Sequence, residues 1–395
     1  MLPGQLPHLM RTLLRKLGGI ASSFPILIVL AGLCVASIFI IMSATLTNDA
    51  LKDAYSSQSK YIIYGFVLYL ILALTPYEIL VRFAPVLYCV GITLLIGVFI
   101  PGLRHKVFGA YSWLKLGPLS FEPAEFAKLA YILGMAWFLH LREREIHHLS
   151  TVIYAVVITA VPFALVKMQP ALGSALVFFP VCFAMLFVAG ARLRYIILPL
   201  LFGVLVCFLA YYWVSVKNWP LPKLPFTKSF QADRIRTWFD PSLDKQGAAW
   251  QINQSMIAIG SGGMNGKGWM QGTQNVLGYL PKNTSYNDLI FSVVGEEEGF
   301  RGGAALIICE GTVLLWCLWV AAYARDKIGA MVAVGVMAML FTHIFVNIGM
   351  TIQVVPITGI PLPFISYGGT FLLACLAAMG LVQSVWVHRK NFERL

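Results

Sequence analysis

The sequence predicts an all-α, polytopic integral membrane protein with about ten transmembrane helices and one large extracytoplasmic loop. Of its 395 residues, 59% are hydrophobic and only 12% are charged, with a mean hydropathy of +0.78. A soluble domain carries about twice that share of charge, so a water-soluble core is excluded. Apolar stretches of roughly 18 to 25 residues also recur along nearly the whole chain, each able to cross a hydrocarbon core about 30 Å thick.

Read in order, the spans fall near residues 24–45, 60–77, 84–101, 122–140, 151–167, 172–190, 194–215, 302–324, 329–352 and 364–387. The first follows Arg11, Arg15 and Lys16 without the small-residue cleavage site of a secretory signal, so it is expected to remain as an anchor. An even number of spans puts both termini on one side. Arg82, Arg142, Arg144, Arg192, Arg194, Arg325, Lys327, Arg389, Lys390 and Arg394 fall on that side, which the positive-inside rule makes the cytoplasm. One loop dissents, with Arg104, Lys106 and Lys115 on the opposite face.

A net charge of +12 suggests nucleic-acid binding in a soluble protein. Here positive-inside topology and anionic membrane lipids account for it, and no nucleic-acid partner is expected. All seven cysteines lie inside apolar spans with no CxxC pair, which predicts neither disulfides nor a metal-thiolate site.

The chain reads as a single membrane domain, 1–395, with one long connection at 216–301. Loops of this length usually carry function. Within it Ala249, Ile252, Met256 and Ile259 recur at helical spacing, which predicts an amphipathic helix on the membrane surface. The stretch GSGGMNGKGW, 260–269, fails the nucleotide-loop template, because Ser261 replaces the first glycine and Gly268 the magnesium-binding hydroxyl. Two readings stay open for it: a backbone that binds pyrophosphate beside Lys267, or a flexible turn. SQSK, 57–60, matches a penicillin-interacting motif by spacing alone.

Ionisable groups inside spans are the strongest functional pointers in such a chain. Glu125 and Lys128 in FEPAEFAKL stand three apart on one helical face, able to pair or to line a polar cavity. Pro170 and Gly173 in KMQPALGSAL break helix at membrane depth, at a cavity wall or in a tight turn. Glu310 and His343 are intramembrane and read as interhelical hydrogen-bonding groups. Asp288, where the long loop re-enters apolar sequence, suits either a desolvated general base or a helix N-cap. Glu296, Glu297 and Glu298 cannot all face lipid, and pair with basic residues or lie at the interface.

Taken together, FEPAEFAKL, QPALGSAL, the segment from RIRTWFDPSLDKQG to GWMQGTQN, LIFSVVGEEEGF, NIGM and PLPFISYGG resemble the signatures of the SEDS family (shape, elongation, division and sporulation) in family order. GKGWMQGTQ and PITGIPLPFISYGG are more like the family's rod-elongation member than its division paralogue. The resemblance implies a bacterial cytoplasmic-membrane enzyme that polymerises lipid II into glycan strands. Its implied partners are a class B penicillin-binding protein, which supplies the transpeptidase, and the elongation machinery. An acceptor sugar hydroxyl would displace undecaprenyl pyrophosphate with inversion. A base takes the hydroxyl proton, and positive charge or a divalent cation, Mg2+ or Mn2+, stabilises the leaving group.

Carried over by residue, the resemblance makes Asp288 the general base and puts Glu125 and Lys128 in the central cavity. Arg234 or Arg236, Lys267 and Gln274 become contacts to pyrophosphate or sugar, and no residue is assigned to a resident metal. Ser366, Tyr367, Gly368 and Gly369 read as packing around a helix start beside the cavity.

Two departures stand out. The family usually has aspartate after QP where this chain has Ala171, and the approach to Asp288, LPKNTSYND, lacks the usual histidine and carries two extra residues. The missing acid keeps two alternatives open, a lipid II flippase and a noncatalytic scaffold for the penicillin-binding protein. The absence of inverted repeats weighs against the first.

Overall fold

The computed structural model describes residues 18–19, 22–46, 48, 51–107, 110–116, 119–169, 171–212, 234, 238, 247–281 and 284–389. Arg236, Pro170, Arg11, Arg15, Lys16, Lys390 and Arg394 fall outside the described residues, and the Lys106 side chain is undescribed.

Spans α1 (Phe24–Ala44), α2 (Ala54–Leu74), α3 (Ala84–Gly97), α4 (Pro123–Leu141), α5 (Leu149–Met168), α6 (Leu172–Ala189) and α7 (Arg194–Tyr211) occupy the first half. The long connection then folds into α8 (Ala248–Gly262) and α9 (Ile290–Glu297), and α10 (Gly299–Ala322), α11 (Lys327–Thr351) and α12 (Gly369–Val387) complete the bundle. Seven of these, α1, α2, α5, α6, α10, α11 and α12, are long and apolar enough to cross a membrane, and α3 and the first part of α7 are shorter apolar helices. These nine, together with α4, lie where the sequence places its ten spans.

Local rules explain the boundaries. Pro25, Pro85 and Pro123 stand in the first turns of α1, α3 and α4, where no N–H partner is lost. Asp326 caps α11 by accepting the Gly329 N–H at 2.8 Å, and Gly190 ends α6 with a left-handed φ of 99°. α11 and α12 are buried along most of their length and form the centre of the bundle, with α2 packed along α12 and α6 along α11. By contrast α7 is almost entirely exposed, with Ile196 its buried side chain among those described.

The all-α expectation misses one element. The connection between α3 and α4 is an antiparallel sheet of β1 (Arg104–Val107), β2 (Ala110–Leu116) and β3 (Leu119–Phe121), in the order β1-β2-β3. Ser112 and Leu114 turn inward while Lys115 is exposed, the period of two that defines a half-buried strand. The dissenting Arg104 and Lys115 are thus hairpin residues, with Arg104 facing Leu114 in register.

The expected surface helix exists as α8, but its buried face runs through Ala249, Ile252, Ser255 and Ala258, leaving Met256 exposed. α8 packs on α9 rather than lying on the membrane alone: Ser255 Oγ meets Ser292 Oγ at 2.5 Å and donates to the Thr351 carbonyl at 2.9 Å.

Counting crossings, the connections that follow α1, α3, α5, α7 and α11 share one face. That face carries the sheet, the turn before α6, the α8–α9 region and the segment between α11 and α12.

Candidate functional site

The site is organised by the segment from Gln353 to Tyr367, QVVPITGIPLPFISY, in which three prolines and a glycine prevent helix between two apolar spans. Such backbone survives at membrane depth only where its polar groups are satisfied within the protein. Here Trp238 Nε1 donates to the Gln353 carbonyl at 3.1 Å and Arg234 to that of Ile357 at 3.3 Å. Asn347 Nδ2 donates to the Ile360 carbonyl at 2.7 Å. Ser366 Oγ accepts the Leu362 N–H and donates to the Asn287 carbonyl at 2.6 Å, and the Tyr367 N–H bonds the Tyr286 carbonyl at 3.0 Å. The SYGG residues therefore do more than pack a helix start: they join the last connection to the turn that carries Asp288.

On one side of this segment lie the α4 residues. Lys128 Nζ is 2.7 Å from Glu125 Oε1 and 2.9 Å from His343 Nε2, all three being buried. Because a lysine ammonium offers only donors, His343 accepts at Nε2, and its Nδ1–H then faces the Pro361 carbonyl at 3.3 Å. The Phe371 ring packs on His343 with centroids 4.9 Å apart. His343 is thus an interhelical hydrogen-bonding group, as its sequence context suggests, and its partner is the candidate cavity lysine.

On the other side stands Asp288, in the turn Thr284–Leu289. The N-cap reading fails, since α9 begins at Ile290 with Leu289 at the cap position and no side-chain cap. Asn347 Nδ2 fixes the Asp288 carbonyl at 2.9 Å. Gly359, at φ 73°, leaves room for the carboxylate; a Cβ there would lie 3.3 Å from Asp288 Oδ2. Desolvation pushes the Asp288 carboxyl up to about 6, and the charge of Arg234 opposes that rise. Arg234 is half-buried, with its own pKa lowered by burial and supported by Asp288.

Glu122, which the motif reading passed over, stands three residues before Glu125 at the start of the same helix. It is half-buried at the N-cap of α4, with its backbone N–H 3.4 Å from Thr370 Oγ1. Three further polar atoms of this neighbourhood, Asn287 Oδ1, Asn347 Oδ1 and Thr358 Oγ1, are buried without a hydrogen-bond partner among the described residues. Buried polar atoms left open around a carboxylate mark a place for water or substrate.

The sequence model of the family described as Cell cycle protein, grouping FtsW, RodA and SpoVE, matches residues 21–391. The chain belongs to the SEDS family. This SEDS protein is 36% identical to the peptidoglycan glycosyltransferase MrdB of Escherichia coli K12 over 370 residues, 93% of this chain and 94% of that protein. It is 32% identical to the peptidoglycan glycosyltransferase RodA of Treponema pallidum over 427 residues, 92% and 98% of the two chains. Among solved structures, a chain of a peptidoglycan synthase complex that coordinates polymerization and crosslinking superposes with a TM-score of 0.75 at 26% identity, covering 93% of this chain and 98% of that one. The crystal structure of Thermus thermophilus RodA shares the fold at a TM-score of 0.64 and 24% identity, covering 93% and 97%.

The family departures have defined places in this SEDS protein. Ala171 is half-buried just before α6, and Gly173 presses on the hub formed by the Gln353–Tyr367 segment, where a Cβ would lie 2.6 Å from Ile360 Cγ1 and 2.9 Å from the Thr358 carbonyl. The position lacking its acid therefore flanks the segment that Asp288 also touches. Of the residues leading to Asp288, Lys282 and Asn283 lie outside the described residues, while Thr284 accepts the N–H groups of Asn287 and Leu289 and closes the turn.

Lys267 and Gln274 sit elsewhere. Lys267 Nζ is 2.6 Å from Glu296 Oε1, and Thr273 Oγ1 and the Gln274 N–H also donate to that oxygen at 3.1 and 2.8 Å. Glu296 is fully buried, so the cluster is an internal ion pair. The glycine-rich stretch is not a free anion cradle either. Its Lys267 and Gly268 N–H groups are spent on the carbonyls of Glu296 and Glu297, and Gly266, at φ 75°, lies so close to the Glu297 carbonyl that a side chain is excluded. Glu297 accepts from Ser43 Oγ on α1, and Glu298 is exposed. Arg236 lies outside the described residues. Among the described residues no three His, Cys, Asp or Glu side chains stand together as a group that could hold a metal ion.

Glu122, Asn347, Gly359 and His343 are the site residues that sequence reasoning passed over or gave no role at the site. The signal for Glu122 was available: it lies three residues before Glu125, on the same approach to α4.

Proposed function

We propose that this SEDS protein is a peptidoglycan glycosyltransferase that polymerises lipid II into glycan strands for cell elongation and rod shape. The observation that carries the reading is the cluster itself: Asp288 beside Arg234, with the Glu125–Lys128–His343 group across the Pro-rich segment from Gln353 to Tyr367. Its pieces come from connections on one membrane face, the outer face of the bacterial cytoplasmic membrane, with both termini in the cytoplasm. The printed activities of the Escherichia coli and Treponema relatives support the same substrate class. The resemblance in fold to a chain of a peptidoglycan synthase complex supports a class B penicillin-binding protein as partner within the elongation machinery.

In this reading Asp288 takes the proton of the acceptor sugar hydroxyl as that oxygen bonds the anomeric carbon of the donor. The bond from that carbon to the undecaprenyl pyrophosphate oxygen breaks, and its electron pair leaves with the pyrophosphate. Attack opposite the leaving group inverts the anomeric centre. Lys128 and Arg234 supply fixed positive charge toward the leaving group, the kind of preorganised stabilisation that dominates such reactions. A divalent cation, Mg2+ or Mn2+, would add charge neutralisation when bound to the pyrophosphate.

Purified protein with its penicillin-binding partner, given labelled lipid II, tests the reading. Wild type is expected to make glycan chains and Asp288→Ala none. Lipid II moved across proteoliposomes without polymer would instead make the protein a transporter, and partner binding with neither activity would make it a scaffold.

A further inference from the structure

His343 and Asn347 stand four residues apart on α11, so their side chains leave one face of the helix about 6 Å apart along its axis. Both are buried, and both reach the hub. Asn347 Nδ2 donates to the Ile360 carbonyl at 2.7 Å, and the next carbonyl along, that of Pro361, faces His343 Nδ1 at 3.3 Å. Irregular backbone at membrane depth needs such partners, so the pair has a structural duty. Each side chain also makes a second contact, away from the hub. Asn347 Nδ2 donates again, to the Asp288 carbonyl at 2.9 Å. His343 Nε2 accepts from Lys128 Nζ at 2.9 Å, while Glu125 holds the same ammonium at 2.7 Å. One turn of α11 is thus joined to two adjacent hub carbonyls, to the turn that carries Asp288 and to Lys128.

We propose that His343 and Asn347 form a bracket that sets the separation of Asp288 from Lys128, and that turnover depends on it. The two charged groups come from different parts of the chain, Asp288 from the turn before α9 and Lys128 from α4, so no single element fixes how far apart they stand. The role rests on the glycosyltransferase reading, in which Asp288 serves the attacking oxygen and Lys128 the pyrophosphate leaving opposite to it. In-line displacement fixes the span between those two ends, and an error of about 1 Å in such a span costs on the order of a hundredfold in rate. Both are positioning residues: Asn347 holds the backbone of Asp288 rather than its carboxylate, and His343 acts through Lys128. The imidazole suits this place because it accepts at one nitrogen and donates at the other. A glutamine amide can do the same with its oxygen and nitrogen, whereas a phenylalanine ring fills the space and does neither.

The test measures kcat and KM for lipid II, with the penicillin-binding partner present, in wild type, His343→Gln, His343→Phe, Asn347→Leu and the double variant His343→Phe with Asn347→Leu. His343→Phe and Asn347→Leu are each expected to lower kcat by roughly tenfold to a hundredfold, with KM within about threefold of wild type. His343→Gln is expected to keep kcat within about threefold of wild type. Because both positions hold one joint, the double variant should be within about threefold of the slower single variant, where independent sites would multiply their losses. A His343→Gln enzyme as slow as His343→Phe, a raised KM at unchanged kcat, or multiplying losses overturns the bracket. Amide exchange read by mass spectrometry reports the joint without polymerisation. The turn Thr284–Leu289 is expected to lose protection in Asn347→Leu and, through the hub, in His343→Phe, and to keep it in His343→Gln. Unchanged protection in the first two would sink the inference. Wild type that makes no glycan would end the polymerase reading instead, and the exchange result would still decide the bracket.

Discussion

At Asp288 the backbone and the carboxylate are held by different groups: Asn347 grips the carbonyl, while Arg234 and the open side of Gly359 face the acid. This fixes position without spending the carboxylate on a cap, and leaves it desolvated with a pKa of about 6. An acid raised above its usual value supports the fold only while protonated, so its contribution is full below about pH 4 and gone above about pH 6. Two outcomes are expected. Polymerisation falls as pH drops through about 6, because the base must be ionised. Asp288→Asn abolishes polymerisation while its thermal midpoint stays at or above that of wild type at neutral pH. A clear drop in that midpoint would show that Asp288 holds the fold rather than the chemistry. Lys128 behaves in the opposite way. Lys128→Ala strands buried Glu125 and is expected to cost about 3–5 kcal/mol of stability, whereas Glu125→Gln with Lys128→Met recovers most of it without recovering activity. Denaturation of both variants, beside the lipid II assay, separates the two roles.

At the scale of elements, the α8–α9 connection shows how a motif can mislead. GSGGMNGKGW reads as a phosphate-like loop because glycine and lysine are visible in a sequence and close backbone approach is not. In the fold its N–H groups bond the end of α9, and its lysine neutralises Glu296. Lys267→Ala is therefore expected to lower stability by about 2–4 kcal/mol, short of a full buried-pair loss because the lysine is partly exposed and Thr273 and Gln274 still bond Glu296. Its KM for lipid II should stay near that of wild type. A raised KM with unchanged thermal stability would restore the substrate-contact role. The spans themselves were legible, since hydropathy and length decide them locally. So was the approach of Glu125 to Lys128, three residues apart on one helix. The strands at 104–121 were not, because a brief alternation such as YSWLKL carries little weight beside spans of 20 residues. Nor was the hub, whose prolines announce irregular backbone but whose partners, Arg234, Trp238, Asn347 and Ser366, are long-range.

Over the whole molecule, span parity decides which residues can meet. Glu122 opens the fourth span, Gly173 the sixth, and Asp288 and the hub precede the eighth and tenth, so all are delivered to one face however far apart they lie in sequence. Charge is distributed oppositely. Arg82, Arg142, Arg144, Arg192, Arg194, Arg325, Lys327 and Arg389 gather on the other face, where Lys327 pairs with Glu143 at 2.7 Å and Arg325 approaches Glu78 at 3.7 Å. Because positive charge resists translocation, the proposed orientation keeps the face with the arginines in the cytoplasm and turns the Asp288 face outward. The described native cysteines lie within spans, which allows the orientation to be read with single added thiols. In intact cells, an impermeant maleimide is expected to label Met264→Cys and Glu298→Cys, both exposed on the cavity face, and to spare Glu143→Cys and Arg325→Cys until the membrane is opened. The reverse pattern would put Asp288 in the cytoplasm, away from any growing wall, and would end the glycosyltransferase reading together with the orientation.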